Sequence, residues 1–181
     1  MLSQKEINDA KNRALTMLKA SNIAVTEKEK EDFEVSDFGL SMLEQIGLEV
    51  VTYVNNDIYC AKELILFPYQ ICPEHIHPTQ NGILGKRETF RCRSGEVYLY
   101  VTGEPSKDLK CKVPAGKEDV FTVKKQIVLY PGEQYTLEPD TLHWFQAGPE
   151  GAIVSEFSST STDGADIFTD KEIKRFTEVI D

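Results

Sequence analysis

Apolar residues recur at helical spacing only near the start of the chain. Over residues 4–20, Ile7, Ala10, Ala14, Leu15, Met17 and Leu18 fall near one helical face. Ser3 precedes this stretch and Glu6 stands three positions later, the pattern of an N-terminal capping box. Thr26 and Glu29 repeat the pattern and predict a short charged helix to about Asp32. The charged run from Glu27 to Glu34 reads as a solvated face. From about Val35 the pattern changes to short β-prone runs divided by turn residues: 48–54, 59–67, 72–78, 88–93, 96–102, 110–113, 120–130, 134–137, 142–146 and 152–158. Ser94-Gly95 reads as a hairpin turn, and Gly148-Pro-Glu-Gly151 as a second break. Close spacing of this many strands predicts an all-β sandwich or barrel. Residues 159–166 are small and polar and predict a loop. Residues 170–180 predict a short C-terminal helix with Asp170 as its N-cap. The expected organisation is an N-terminal helical segment, residues 1–34, followed by a β-rich domain, residues 35–181.

Composition narrows the class. A chain of 181 residues can bury roughly 70% of its unfolded surface without disulfides. The net charge of −10 disfavours a general positive field for nucleic acid or an anionic membrane. No apolar run approaches the ~18 residues of a membrane span. The start is polar from Ser3, without the apolar stretch of a signal peptide, so the expected location is the cytoplasm. Cys60, Cys72, Cys92 and Cys111 form no Cys-x-x-Cys pair and read as reduced packing thiols.

The chain has three histidines. His75 and His77 stand two apart, which on a strand places both imidazoles on one side, where they can share a metal ion. Glu88 follows His77 by eleven positions, and Gly95 follows Glu88 by seven. Farther on, Pro131-Gly132 opens a strand–turn–strand unit that runs through Pro139 to His143. This arrangement resembles the two motifs of the cupin superfamily, in which three histidines and a carboxylate hold a metal inside a small β-barrel or jelly roll. The resemblance places the ligands at His75, His77, Glu88 and His143. The departure is the spacing from His77 to Glu88, where ten residues intervene instead of three or four. Three nitrogens and a carboxylate oxygen suit Mn²⁺, Fe²⁺, Co²⁺ or Zn²⁺.

Longer strings carry a closer likeness. Tyr59-Cys-Ala-Lys-Glu-Leu-Ile-Leu-Phe-Pro68, Cys72-Pro-Glu-His-Ile-His-Pro78, residues 88–101, His143-Trp-Phe-Gln-Ala-Gly148, residues 154–163 and residues 166–170 resemble the short bacterial D-lyxose ketol-isomerases. The likeness runs from about Val35 to Ile173. It implies metal-dependent interconversion of D-lyxose and D-xylulose, often with D-mannose and D-fructose as a second pair. Mn²⁺ is the first expectation for the metal, and a homodimer is expected from the cupin resemblance.

Such a reaction needs a base near both carbons and an electrophile on the oxygens. Glu156 is the candidate base, since a charge mid-strand beside Val154 is unusual without a task; a rim glutamate is the plain alternative. Lys62 shares a face with Leu64 and Leu66 and either donates to a substrate oxygen or meets solvent. Phe145 shares the face of His143 and is expected to wall the pocket. Asp163 and Asp166, in the polar loop, either close over sugar hydroxyls or serve the turn. Alternation turns Glu74 and Trp144 away from the metal. Lys86 and Arg87 offer phosphate contacts, which leaves a sugar phosphate open as the substrate. The competing readings are an Fe or Mn cupin dioxygenase and a non-catalytic sugar-binding cupin. The polar residues around the motifs favour a polyhydroxylated ligand over the apolar substrate of an oxygenase.

Overall fold

The computed structural model describes residues 1–180, apart from the side chain of Asp163. A short strand β1 (Leu2–Ser3) leads into helix α1 (Gln4–Ala20), and helix α2 (Glu27–Glu31) follows. Both capping boxes form: Ser3 Oγ accepts from the Glu6 amide, and Thr26 Oγ1 accepts from the Glu29 amide. The strands that follow are β2 (Glu34–Ser36), β3 (Leu48–Asn55), β4 (Cys60–Leu66), β5 (Ile71–Ile76), β6 (Glu88–Val101), β7 (Lys125–Leu129), β8 (Gln134–Leu137), β9 (His143–Ser158), β10 (Ile167–Phe168) and β11 (Val179–Ile180).

One curled antiparallel sheet carries the fold, in the order β10-β5-β9-β4-β3-β2, with β6 joined to β7, β8 and β9. It is the half-barrel expected of an all-β cupin fold. Its concave side holds apolar residues that include Phe38, Leu48, Leu64, Phe90 and Phe145. Its convex side packs Val51, Ile65, Phe67 and Ile153 against Ala10, Ala14 and Leu18 of α1. The apolar stripe of α1 therefore covers one flank of the sheet and stays clear of the concave interior.

Five expectations need correction. Ser94-Gly95 is no hairpin turn: β6 runs through it as one strand with register shifts against β9. Gly95 has φ +74°, and a Cβ there would meet the Gly151 carbonyl oxygen at 2.0 Å. The glycine thus serves close strand approach within a bulge. Likewise β9 is continuous through Gly148–Gly151, with only Pro149 and Glu150 exposed. The tail also forms no helix. The Asp170 carboxylate accepts from the Glu172 amide and pairs with Lys117, so a turn starts there. Tertiary partners then take the backbone: the Lys174 amide donates to Phe38, and β11 pairs in parallel with β1. The weak run 110–113 forms no strand, and 120–130 shrinks to β7.

Candidate active site

Strand register brings the site together on the concave side. His75 of β5 lies opposite His143 of β9. His77 lies just past the end of β5. Glu156 of β9 has Lys62 of β4 as its partner on one side and Phe90 of β6 on the other. Glu88, two residues before Phe90, therefore shares the concave face with Glu156.

The ligand atoms of His75, His77 and His143 all lie within 4.8 Å of one another. Glu88 Oε1 is 3.3 Å from His77 Nε2 and 3.0 Å from His143 Nε2. Each imidazole is oriented from behind. Nδ1 of His75 is 2.8 Å from the Pro73 carbonyl, and Nδ1 of His143 is 2.9 Å from the Thr141 carbonyl. A carbonyl can only accept, so Nδ1 carries the hydrogen and Nε2 presents its lone pair inward. Nδ1 of His77 is 2.5 Å from Asp166 Oδ1, at the start of β10.

One side of this cluster stays unpaired. Lys86 stands against Glu88 Oε2, but His77 Nε2, His143 Nε2 and Glu88 Oε1 are buried without a hydrogen-bond partner. Lone pairs facing a carboxylate at such distances repel unless a proton or a cation lies among them. Burial works to lower His77, yet the Glu88 and Asp166 carboxylates overcome it and hold the imidazole up at about 9. Burial likewise opposes charge on Glu88, and Lys86 with His77 overcomes it, lowering the carboxyl well below its ordinary range. Burial, with His143 and His77 beside it, pushes His75 well below the usual histidine range, leaving it neutral. A divalent ion fits this demand: it would take the lone pairs and the carboxylate together.

The remaining predicted residues surround one small cavity. Lys62, Phe145, Glu156 and Asp166 all line it, with His75, His77 and Glu88. Lys62 is buried and donates to Ser161 Oγ at 3.1 Å. Glu156 is only 4% exposed, so it is no rim residue. Phe145 packs on Phe90, with centroids 4.9 Å apart, and forms wall. Asp166 shares the cavity, but its Oδ1 is turned to His77. The Asp163 side chain lies outside the described residues. Glu74 points away from the histidines, as alternation requires, and accepts from Thr122, Val123 and Thr169. Trp144 also faces away, stacking on Tyr100.

Two further cations line the cavity, and the sequence pattern offered only one of them. Lys86, named there as a phosphate contact, sits 2.8 Å from Glu88 Oε2 and 3.1 Å from Glu156 Oε1. Arg87 turns outward to Glu138 instead. Arg175 reaches the cavity from the tail and pairs with Glu34 of β2. The charged pattern at 86–87 was visible, but no local signal placed either cation inside.

The D-lyxose isomerase family model matches residues 10–181. A D-lyxose/D-mannose isomerase from Thermosediminibacter oceani is 58% identical over 181 residues, covering both chains in full. A D-lyxose ketol-isomerase from Thermofilum sp. is 57% identical and covers 99% of this chain and all of that one. Among solved structures, Cellulomonas parahominis L-ribose isomerase superposes with a TM-score of 0.81 at 18% identity, covering 99% of this chain and 98% of that one. That likeness bears on the fold, including the helix laid against the sheet. On the sequence match over nearly its whole length, the chain belongs to the D-lyxose isomerase family and is an aldose–ketose isomerase.

Proposed function

We propose that the chain interconverts D-lyxose and D-xylulose, with D-mannose and D-fructose as a second pair, in a metal-dependent proton transfer. The observation that carries this reading is the trio of inward-facing imidazole nitrogens and Glu88, set in a cavity beside the buried pair Lys62 and Glu156. His75, His77, Glu88 and His143 hold the metal in this reading, with Mn²⁺ as the physiological ion. When bound, the ion polarises the sugar carbonyl and stabilises negative charge on the adjacent oxygens.

The protein groups divide the rest. Glu156 takes the proton from C2 of the aldose and returns it to C1, while the hydroxyl proton of O2 passes to O1. Atoms then balance: an aldehyde and a secondary alcohol become a primary alcohol and a ketone. Lys62, held by Ser161, donates to a substrate oxygen. Phe145 walls the carbon skeleton, and Asp166 fixes the tautomer of His77 by accepting from Nδ1. An unphosphorylated sugar is favoured, because Lys62, Lys86 and Arg175 each already have a partner in the cavity wall.

The protein is proposed to act in the cytoplasm as a homodimer. Exposed Tyr53, Tyr59 and Phe157, on or beside the neighbouring strands β3, β4 and β9, support such pairing. Among the described residues, no helix is long and apolar enough to cross a membrane.

The test is turnover of an aldose panel by Mn²⁺-loaded protein in the absence of oxygen. Ketose formed from D-lyxose supports the reading. Turnover only with oxygen would replace it with oxygenase chemistry, and binding without turnover would replace it with a sugar-binding role.

A further inference from the structure

We infer that Lys86 is a positioning residue that sets Glu156 in register with the metal-ligating Glu88. The inference rests on the proposed reading of Glu156 as the base and Glu88 as a ligand.

Lys86 is the last residue but one before β6, at the end of the long segment between His77 and Glu88. That segment folds back tightly. The Thr79 amide and hydroxyl both donate to Asp140 at 2.6 Å, tying its start to the turn before His143. The Gly85 amide donates to Thr79 Oγ1 at 3.1 Å, closing the loop on itself. At Gly85 the loop presses on the strand end it left, since a Cβ there would lie 2.0 Å from the His77 carbonyl oxygen. Past this contact, the Arg87 amide donates to Ser159 Oγ at 3.2 Å. The segment between these anchors has one outcome for Lys86, whose Nζ is delivered into the cavity wall.

There it meets both carboxylates at once: Glu88 Oε2 at 2.8 Å and Glu156 Oε1 at 3.1 Å. The Lys86 side chain is 6% exposed, that of Glu88 1% and that of Glu156 5%. Two anionic groups this deeply buried and this close repel unless a cation stands between them. Ser158 Oγ also reaches Glu156 Oε1, at 3.3 Å, so that oxygen is held from two directions. A base fixed on one oxygen presents the other along a defined direction. A proton must move between adjacent carbons of a sugar whose oxygens are held at the metal, so the distance from base to metal carboxylate matters. Lys86 sets that distance.

The test uses full-length protein saturated with Mn²⁺, and compares K86M, K86R, E156Q and the K86M/E156Q pair with D-lyxose as substrate. K86M is expected to lower kcat by about 100-fold, the cost of a misplacement near 1 Å. KM should stay within about 3-fold, and K86R should recover part of kcat because it keeps the charge. Metal per chain and thermal midpoint report the site and the fold separately. In the E156Q background, K86M should add little, because a positioning residue acts only through the group it positions. Normal kcat in K86M overturns the inference. So does a loss that tracks metal content, or a full further loss in the E156Q background. Near-normal turnover of E156Q would instead remove the base assignment, a failure distinct from that of Lys86.

Discussion

Asp166→Asn separates two roles for one carboxylate. The sequence offers Asp166 as a sugar contact, whereas its Oδ1 lies 2.5 Å from His77 Nδ1. Asparagine keeps the shape but loses the charge. Its amide can also turn its NH₂ toward Nδ1, which would move the hydrogen to Nε2 and block that lone pair. Loss of such a partner behind a metal-ligating histidine typically costs about 10–100-fold in metal affinity. That is about 1.4–2.8 kcal/mol, since each tenfold step is ~1.4 kcal/mol. The assay is Mn²⁺ titration of metal-free wild type and Asp166→Asn against a competing chelator. KM for D-lyxose is then measured at saturating Mn²⁺. The expected result is weaker metal binding with KM changed less than about 2-fold. Unchanged metal affinity with a raised KM would refute this account of Asp166 and return it to the sugar.

Three further outcomes are expected. Glu49 is buried between the sheet and α1, where burial pushes its carboxyl up to about 8 from 4.5. The folded state then keeps a proton that the unfolded chain releases above pH 4.5, so stability falls as pH rises from there to about 8. The ceiling is about 5 kcal/mol at ~1.4 kcal/mol per unit. Glu49→Gln should flatten this slope and raise the melting point at pH 8 but not at pH 4, and parallel melting profiles would refute it. Chelation should abolish turnover, Mn²⁺ or Co²⁺ should restore it, and the melting-point gain on adding metal should vanish in His75→Ala. Replacing Cys60, Cys72, Cys92 and Cys111 together should cost stability, since three are buried and the fourth is half-buried, yet leave metal stoichiometry unchanged by elemental analysis.

Local and periodic signals carried much of the reading. The two capping boxes depend on residues three apart, and both form. Period-two alternation correctly set His75 and His77 on one side and Glu74 on the other. Glu156 stood out as a mid-strand charge with a rim position as the alternative, and its burial in the cavity wall decides between the two. Failures arose where distant chain decided the outcome. Gly95 and Gly148–Gly151 have the composition of turns, but β6 and β9 both run on past them, with the register stepping from Gly95↔Ala152 to Val97↔Ala147. The tail has a helix cap at Asp170, but backbone bonds to Phe38 and β1 were worth more than an isolated turn of helix. Lys86 and Arg175 become cavity residues only through loop return and tail crossing, which no spacing in the sequence encodes.

The central claim is proton transfer by Glu156 at a metal site, and conversion of D-lyxose in D₂O tests it most directly. Wild type and Glu156→Gln, both at one Mn²⁺ per chain, are followed by proton NMR. The proton held by Glu156 exchanges with solvent before its return, so the account predicts a D-xylulose product deuterated at C1 from wild type. It also predicts a rate from Glu156→Gln lower by roughly 10²–10⁴, the range for a lost general base. Near-wild-type turnover by Glu156→Gln with its metal in place would contradict it.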